Sequence, residues 1–250
     1  MTDKPTVLVP LRILEGESIP NGVPELLANA HVVLLGYHVV PDQTAPGQAR
    51  TQFEERAQKR LDEFERILMD AGATVDRRLV FTHEGQKTID RLIYEYDCLA
   101  VLVPNATRPP EDVLVAVRGT VGMERIARVV AGLFAGTDVD ITLYHIAAED
   151  ETDEDAELLL EGLASRLEEA GVDTDHIEVD IGREESPKEA IVEAANEFDA
   201  VVMGESDPSI ATFIFGMPAQ QVADQFLGPV FVVQRERPPD ENGAEESADS

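Results

Sequence analysis

The chain has 250 residues, 43% of them apolar, with 20 basic against 50 acidic side chains and a net charge of −30. That apolar share suffices for a proper core in one large or two ordinary domains, so a disordered chain is excluded. The acid excess runs along the whole chain, with Lys4, Lys59, Lys87 and Lys188 as the only lysines; it suits concentrated salt and makes nucleic acid and anionic membrane poor partners.

Taken in order, Thr6 to Val9 reads as a strand followed by Pro10, Leu11 and Arg12. Pro20, Asn21-Gly22 and Pro24 leave room for only a short helix, Pro24 to Asn29. His31 to Val40 is the next strand, and Phe53, Ala57, Leu61, Phe64 and Leu68 recur at helical spacing until Ala71-Gly72 ends the run. Val75 to Phe81 is strand, Gln86 to Tyr96 helix, and Leu99 to Val103 strand.

After Pro109-Pro110 the pattern begins again. Val113 to Val117 is strand, and Met123, Ile126, Val130 and Leu133 mark a helix. Val139 to Ile146 is strand, Leu160, Leu163 and Leu167 mark a helix ended by Ala170-Gly171, and Ile177 to Ile181 is strand. Ser186-Pro187-Lys188-Glu189 has the composition of a helix cap, with Ala190, Ile191, Ala194 and Phe198 on the buried face behind it. Ala200 to Met203 is a doubly buried strand ending at Gly204. A loop from Ser206 to Phe215 leads to a helix from Gly216 carrying Val222 and Phe226, which Gly228-Pro229 stops before the last strand, Val230 to Val233. From Pro238 the chain is a polar acidic tail, expected to be disordered.

The halves repeat. VLVPLR (Val7 to Arg12) matches VLVAVR (Val113 to Arg118), Tyr37-His38-Val39 matches Tyr144-His145-Ile146, Ala71-Gly72 matches Ala170-Gly171, and Ala100-Val101 matches Ala200-Val201. Four matches in one order indicate two related units.

Val202-Met203-Gly204, Phe215-Gly216 and the closing Gly228-Pro229-Val230-Phe231-Val232-Val233 resemble the universal stress protein family, α/β domains related to nucleotide-binding folds (adenine nucleotide alpha hydrolase-like). The resemblance implies two tandem domains, each a parallel sheet flanked by helices: 1–108, truncated before its last helix and strand, and 111–236, complete, with 237–250 as the tail. The truncated edge is expected to pack against the second domain, with Val230 to Val233 a candidate partner, since that family commonly dimerises through its last strand.

ATP-binding members of the family hold phosphates with a loop reading G-x-x-G, nine residues, then G-[ST]. Here Gly204 matches, Asp207 takes the second glycine's place, Gly216 comes one residue early, and Met217-Pro218 replaces the hydroxyl residue. An aspartate recognises the base in those relatives, whereas this chain has Arg12 and Arg118, which cannot accept a bond from an adenine amino group. Either arginine could hold an anion, or pair with carboxylates such as Glu205 or Asp207. The family site would comprise Ala116, Val117, Arg118, Ile146, Met203, Gly204, Asp207, Gly216 and Met217.

Other chemistry has little support. Gly204-x-Ser206 is half a nucleophile elbow but continues into Pro208, no glycine precedes a lysine as a Walker loop needs, and no histidine pair has metal-ligand spacing. His38 and His145 read as equivalent residues fixing loops at strand ends. Cys98, the single cysteine, reads as a buried small hydrophobe in a reducing compartment. No run approaches the roughly 18 apolar residues of a membrane span and the N-terminus lacks a signal core, so a cytoplasmic chain without membrane insertion is expected. The expected function is a non-enzymatic regulatory module that forms a homodimer and contacts an unidentified partner protein without a cofactor. The alternatives are an ATP or AMP sensor and, because the closing stretch is similar to stress-protein domains fused to amino-acid transporters, a regulator of a membrane transporter.

Overall fold

In the computed structural model, which describes residues 4–120, 122–183, 187–204 and 228–236 (backbone alone for 187–189), the described strands form one nine-stranded sheet. In chain order they are β1 (Thr6–Arg12), β2 (His31–Val39), β3 (Thr74–Thr82), β4 (Ala100–Val103), β5 (Asp112–Val117), β6 (Asp140–Ile146), β7 (Ile177–Gly182), β8 (Ala200–Gly204) and β9 (Val230–Val233). Across the sheet the order is β3-β2-β1-β4-β9-β8-β5-β6-β7. The helices are α1 (Val23–Leu26), α2 (Pro46–Asp70), α3 (Gly85–Glu95), α4 (Met123–Phe134), α5 (Asp153–Glu169) and α6 (Pro187–Ala195).

Apolar spacing explains most of these elements. Ala57, Leu61, Phe64 and Leu68 bury one stripe of α2, and Leu160, Leu163 and Leu167 do the same for α5. The repeated Ala-Gly pairs are one device used twice. Gly72 (φ 112°) and Gly171 (φ 97°) follow the two helices in left-handed conformations. The Gly72 amide donates to Met69 and Ala73 to Leu68, while Gly171 donates to Glu168 and Val172 to Leu167. These bonds satisfy carbonyls that a helix end leaves open, in geometry that only glycine adopts at little cost.

Two expected helices are shorter than their sequence pattern. α1 ends at Leu26, where Leu27 and Ala28 make i→i−3 bonds that tighten the chain into a turn. Phe198, expected on the buried face of α6, lies beyond its end after similar tight bonds from Asn196 and Glu197, and still packs on the same apolar cluster. The cap at Ser186, the helix from Gly216 and the tail lie outside the described residues.

β1 to β4 run parallel to one another, as do β5 to β9, and the two blocks join through one antiparallel pair, β4 with β9. Val230–Val233 is therefore the strand that covers the edge of the first block, as its sequence suggested. Residues 104–111 connect β4 to β5 without helix or strand. One face of the sheet carries a single apolar cluster, running from Val9 and Leu61 through Leu102 and Phe231 to Leu143 and Leu163. The other face has two separate clusters, one under α3 and one under α6. Because β4 and β9 are antiparallel, the carboxyl ends of the two blocks open at opposite rims of the sheet. Among the described residues no helix is long and apolar enough to cross a membrane.

Candidate functional site

In an open parallel sheet a ligand crevice lies beyond the carboxyl ends of strands where the order reverses. In the second block that point falls between β5 and β8. Ala116 stands level with Met203 on one side and Tyr144 on the other, Val117 with His145, and Gly204 with Val233. The structure thus brings Ala116, Val117, Ile146, Met203 and Gly204 to neighbouring strand ends. The side chains of Ala116, Ile146 and Met203 are buried in the cluster beneath α6. Arg118 is exposed and is already engaged by a partner. Asp207, Gly216 and Met217 lie outside the described residues.

The same point in the first block lies between β1 and β4, and Arg12, at the end of β1, is held there by side chains of β2 and of its own loop. Arg12 donates from Nε to the Tyr37 hydroxyl at 3.2 Å and from Nη1 to Glu15 at 3.2 Å, while its amide donates to the Glu17 carboxylate at 2.5 Å. Arg60 Nη2 in turn donates to the Glu17 carbonyl at 3.0 Å, tying the loop to α2. Burial pushes the Glu17 carboxyl up, against the Arg12 amide and guanidinium, which pull it down. Arg12 is paired as expected, but its carboxylate is Glu15 from its own loop. The guanidinium offers an adenine base no acceptor, and the carboxylates of Glu15 and Glu17 beside it are unfavourable neighbours for phosphate.

The matched Tyr-His pairs are not structurally equivalent, which corrects the repeat as read from sequence. Arg12 stands level with Tyr37, whereas Tyr144 stands level with Ala116, two positions before Arg118. A shift of two residues keeps the tyrosine on the same face of its sheet, so the apolar pattern tolerates it. The shift places Tyr37, but not Tyr144, level with its block's arginine. It also separates the histidines. His145 is buried, with Nδ1 2.9 Å from the Val117 carbonyl and Nε2 3.0 and 3.1 Å from the Glu151 carboxylate oxygens. Glu151 also accepts from the Ala148 amide, so His145 does fix the loop after β6. His38 instead meets the rings of Phe53 and Phe81 edge-on, and its Nδ1 is buried without a hydrogen bond.

The Ala148 amide foremost, and His145 after it, hold the Glu151 carboxyl below the usual carboxylate range, against burial. Cys98 is buried as expected, and burial, helped by Asp97, pushes its thiol up to about 12, away from reactivity at neutral pH. Among the described residues no group of three His, Cys, Asp or Glu side chains could hold a metal ion.

A clasp the sequence did not announce joins the blocks. Asp199, 7% exposed, accepts from Arg108 Nε at 2.5 Å and from the amides of Glu111 and Asp112 at 2.9 and 3.2 Å. Thr107 donates its hydroxyl to the Asp199 carbonyl and its amide to Asn21 in the first block. An aspartate directly before a wholly apolar strand was the available signal, since an acid there is buried only when it has work among amides.

A mostly parallel α/β sheet flanked by helices, with a crevice at a strand-order switch in each block, is the architecture of this chain. The universal stress protein family model matches residues 110–234, and the chain belongs to that family. The structure resembles that of a universal stress protein from Archaeoglobus fulgidus DSM 4304 at 18% identity and a TM-score of 0.58, over 92% of this chain and 96% of that one. This likeness shows the fold. A universal stress protein from Archaeoglobus fulgidus in complex with dAMP matches at 23% identity and a TM-score of 0.38, over 49% of this chain and 96% of that one. The cytoplasmic domain of a prokaryotic cation chloride cotransporter matches at 9% identity and a TM-score of 0.45, over 92% of this chain and 95% of that one. No curated protein matches the chain.

Proposed function

We propose that the chain is a regulatory member of its family that works through contact with a partner protein, without catalysis and without binding ATP in the family manner. It is read as two tandem domains, 1–108 and 111–236, the first lacking its last helix and strand. The observation that carries the reading is the Arg12 cluster: where ATP-binding relatives have a base-recognising aspartate, the first block has an arginine engaged by Tyr37, Glu15 and Glu17, and an arginine again occupies the matching position, Arg118, in the second block. β9 has strand neighbours on both sides, so a homodimer would use another face.

A second reading, an ATP or AMP sensor using the second block, is favoured by the meeting of Val117, Ile146 and Gly204 at neighbouring strand ends. Calorimetric titration with ATP, AMP and ADP in the presence of magnesium and high KCl separates the two. No heat from folded protein supports the partner-binding module. Micromolar binding abolished by Gly204→Glu establishes the sensor instead.

A further inference from the structure

Near the end of β5, the start of α4 and the outer face of α5 line an open cleft of about 520 Å³, within the range of ligand pockets. Met123, Leu158 and Leu159 supply its apolar lining, and Leu158, at 66%, is the most exposed large apolar side chain among the described residues. Its charged lining is mainly acidic: Glu124, Glu151 and Asp155 against Arg166, with Glu151 already bonded to His145 and the Ala148 amide. Arg166 is itself occupied, with Nη1 2.5 Å from the Gly162 carbonyl and Nε 3.9 Å from Glu124.

Gly162 is the telling residue. It sits in the interior of α5, where glycine is markedly poorer than alanine at holding a helix. A Cβ there would meet only Arg166 Nη1 at 3.5 Å and Met123 Cε at 4.0 Å, both ordinary contacts. Packing therefore does not demand glycine, and its missing side chain leaves the cleft open.

We propose that this cleft docks a short segment of a partner protein bearing an apolar anchor side chain flanked by lysine or arginine. The inference rests on the partner-binding reading and gives it a surface. An apolar anchor covers Leu158 and the lining, and flanking cations meet an acidic rim on a chain of net charge −30. An acidic segment, or nucleic acid, would meet repulsion along the same rim.

The test uses the full chain and two fluorescent probe peptides, one with leucines spaced among lysines and a twin with serine for every leucine. Anisotropy is read at about 0.5 M KCl, where diffuse attraction to an acidic protein is screened within a few ångströms. The leucine probe is expected to bind and the twin not. Gly162→Leu, which fills the cleft while improving the helix, is expected to weaken binding at least about tenfold with no loss of thermal stability. Leu158→Asp, at an exposed position, gives a second variant with the same expected loss. Equal binding of the twin, undiminished binding by the variants, or no binding of the leucine probe overturns the proposal. Probe failure together with absent nucleotide heat leaves partner binding to another surface. A tight nucleotide complex overturns the partner-binding reading and leaves the probe result to decide the cleft.

Discussion

Phe231 of β9 lies directly opposite Leu102 of β4, and both are fully buried. Phe231 also stands level with Val202 of β8 on its other side, so one side chain packs between strands of both blocks within a single apolar cluster.

Truncating that side chain should therefore weaken both blocks together. Phe231→Ala is expected to cost about 3–5 kcal/mol, the usual range for a fully buried aromatic. Urea unfolding followed by circular dichroism should show one transition moved to lower denaturant. Two separate transitions, with only one displaced, would contradict a shared core.

The Asp199 clasp should behave as a buried acceptor whose donors cannot find water. In Asp199→Asn an amide group faces Arg108 or the amides of Glu111 and Asp112, and a loss of about 1–3 kcal/mol is expected from the unpaired donors. Arg108→Ala should cost less, because the Arg108 side chain is 59% exposed and its partner keeps two amide bonds. Equal losses in the two variants would refute this division.

Glu151 makes a prediction in acid. Its folded-state value is depressed, so its contribution to stability is present above the ordinary carboxylate range and is lost as pH falls through the folded value. Glu151→Gln should be less stable than the native chain near neutrality, and the gap in melting temperature should narrow as pH falls below the ordinary carboxylate range and through the depressed folded value. A constant gap across that window would show that the contact with His145 and the bond from Ala148 are not what the substitution removes.

Salt should act on the whole molecule. With a net charge of −30, repulsion among exposed carboxylates opposes the compact state, and the screening length falls from about 10 Å at 0.1 M salt to about 3 Å at 1 M. The melting temperature should rise between dilute buffer and molar KCl, by roughly 2–4 °C for each kcal/mol of repulsion removed. A flat response would undo the reading of this surface as one suited to concentrated salt.

Much of the fold was legible because apolar periodicity and glycine punctuation are local signals. The strand at Val230 to Val233 and the paired Ala-Gly helix ends appear where their residues placed them. The register of β2 against β1 was not legible, because a slip of two residues preserves every inward-facing side chain, and so Tyr37 could not be told from Tyr144. The Arg12 cluster and the Asp199 clasp escaped for another reason. Their partners are set by where loops turn in space, and nothing in the spacing of Glu15, Glu17 or Arg108 marks them as ligands of those groups. The cleft between α4 and α5 left one trace in sequence, a glycine inside a helix.

The position of β9 also bears on how the protein is made. The strand that fills the middle of the sheet is the last of the described strands to be synthesised, while its neighbour β4 precedes it by just over half the chain. On the ribosome the first block must wait with the β4 edge uncovered until Val233 emerges, and only then can one sheet close. Translation that stalls after β8 would release a chain with two open edges of opposite polarity, each a template for the same strand in another copy.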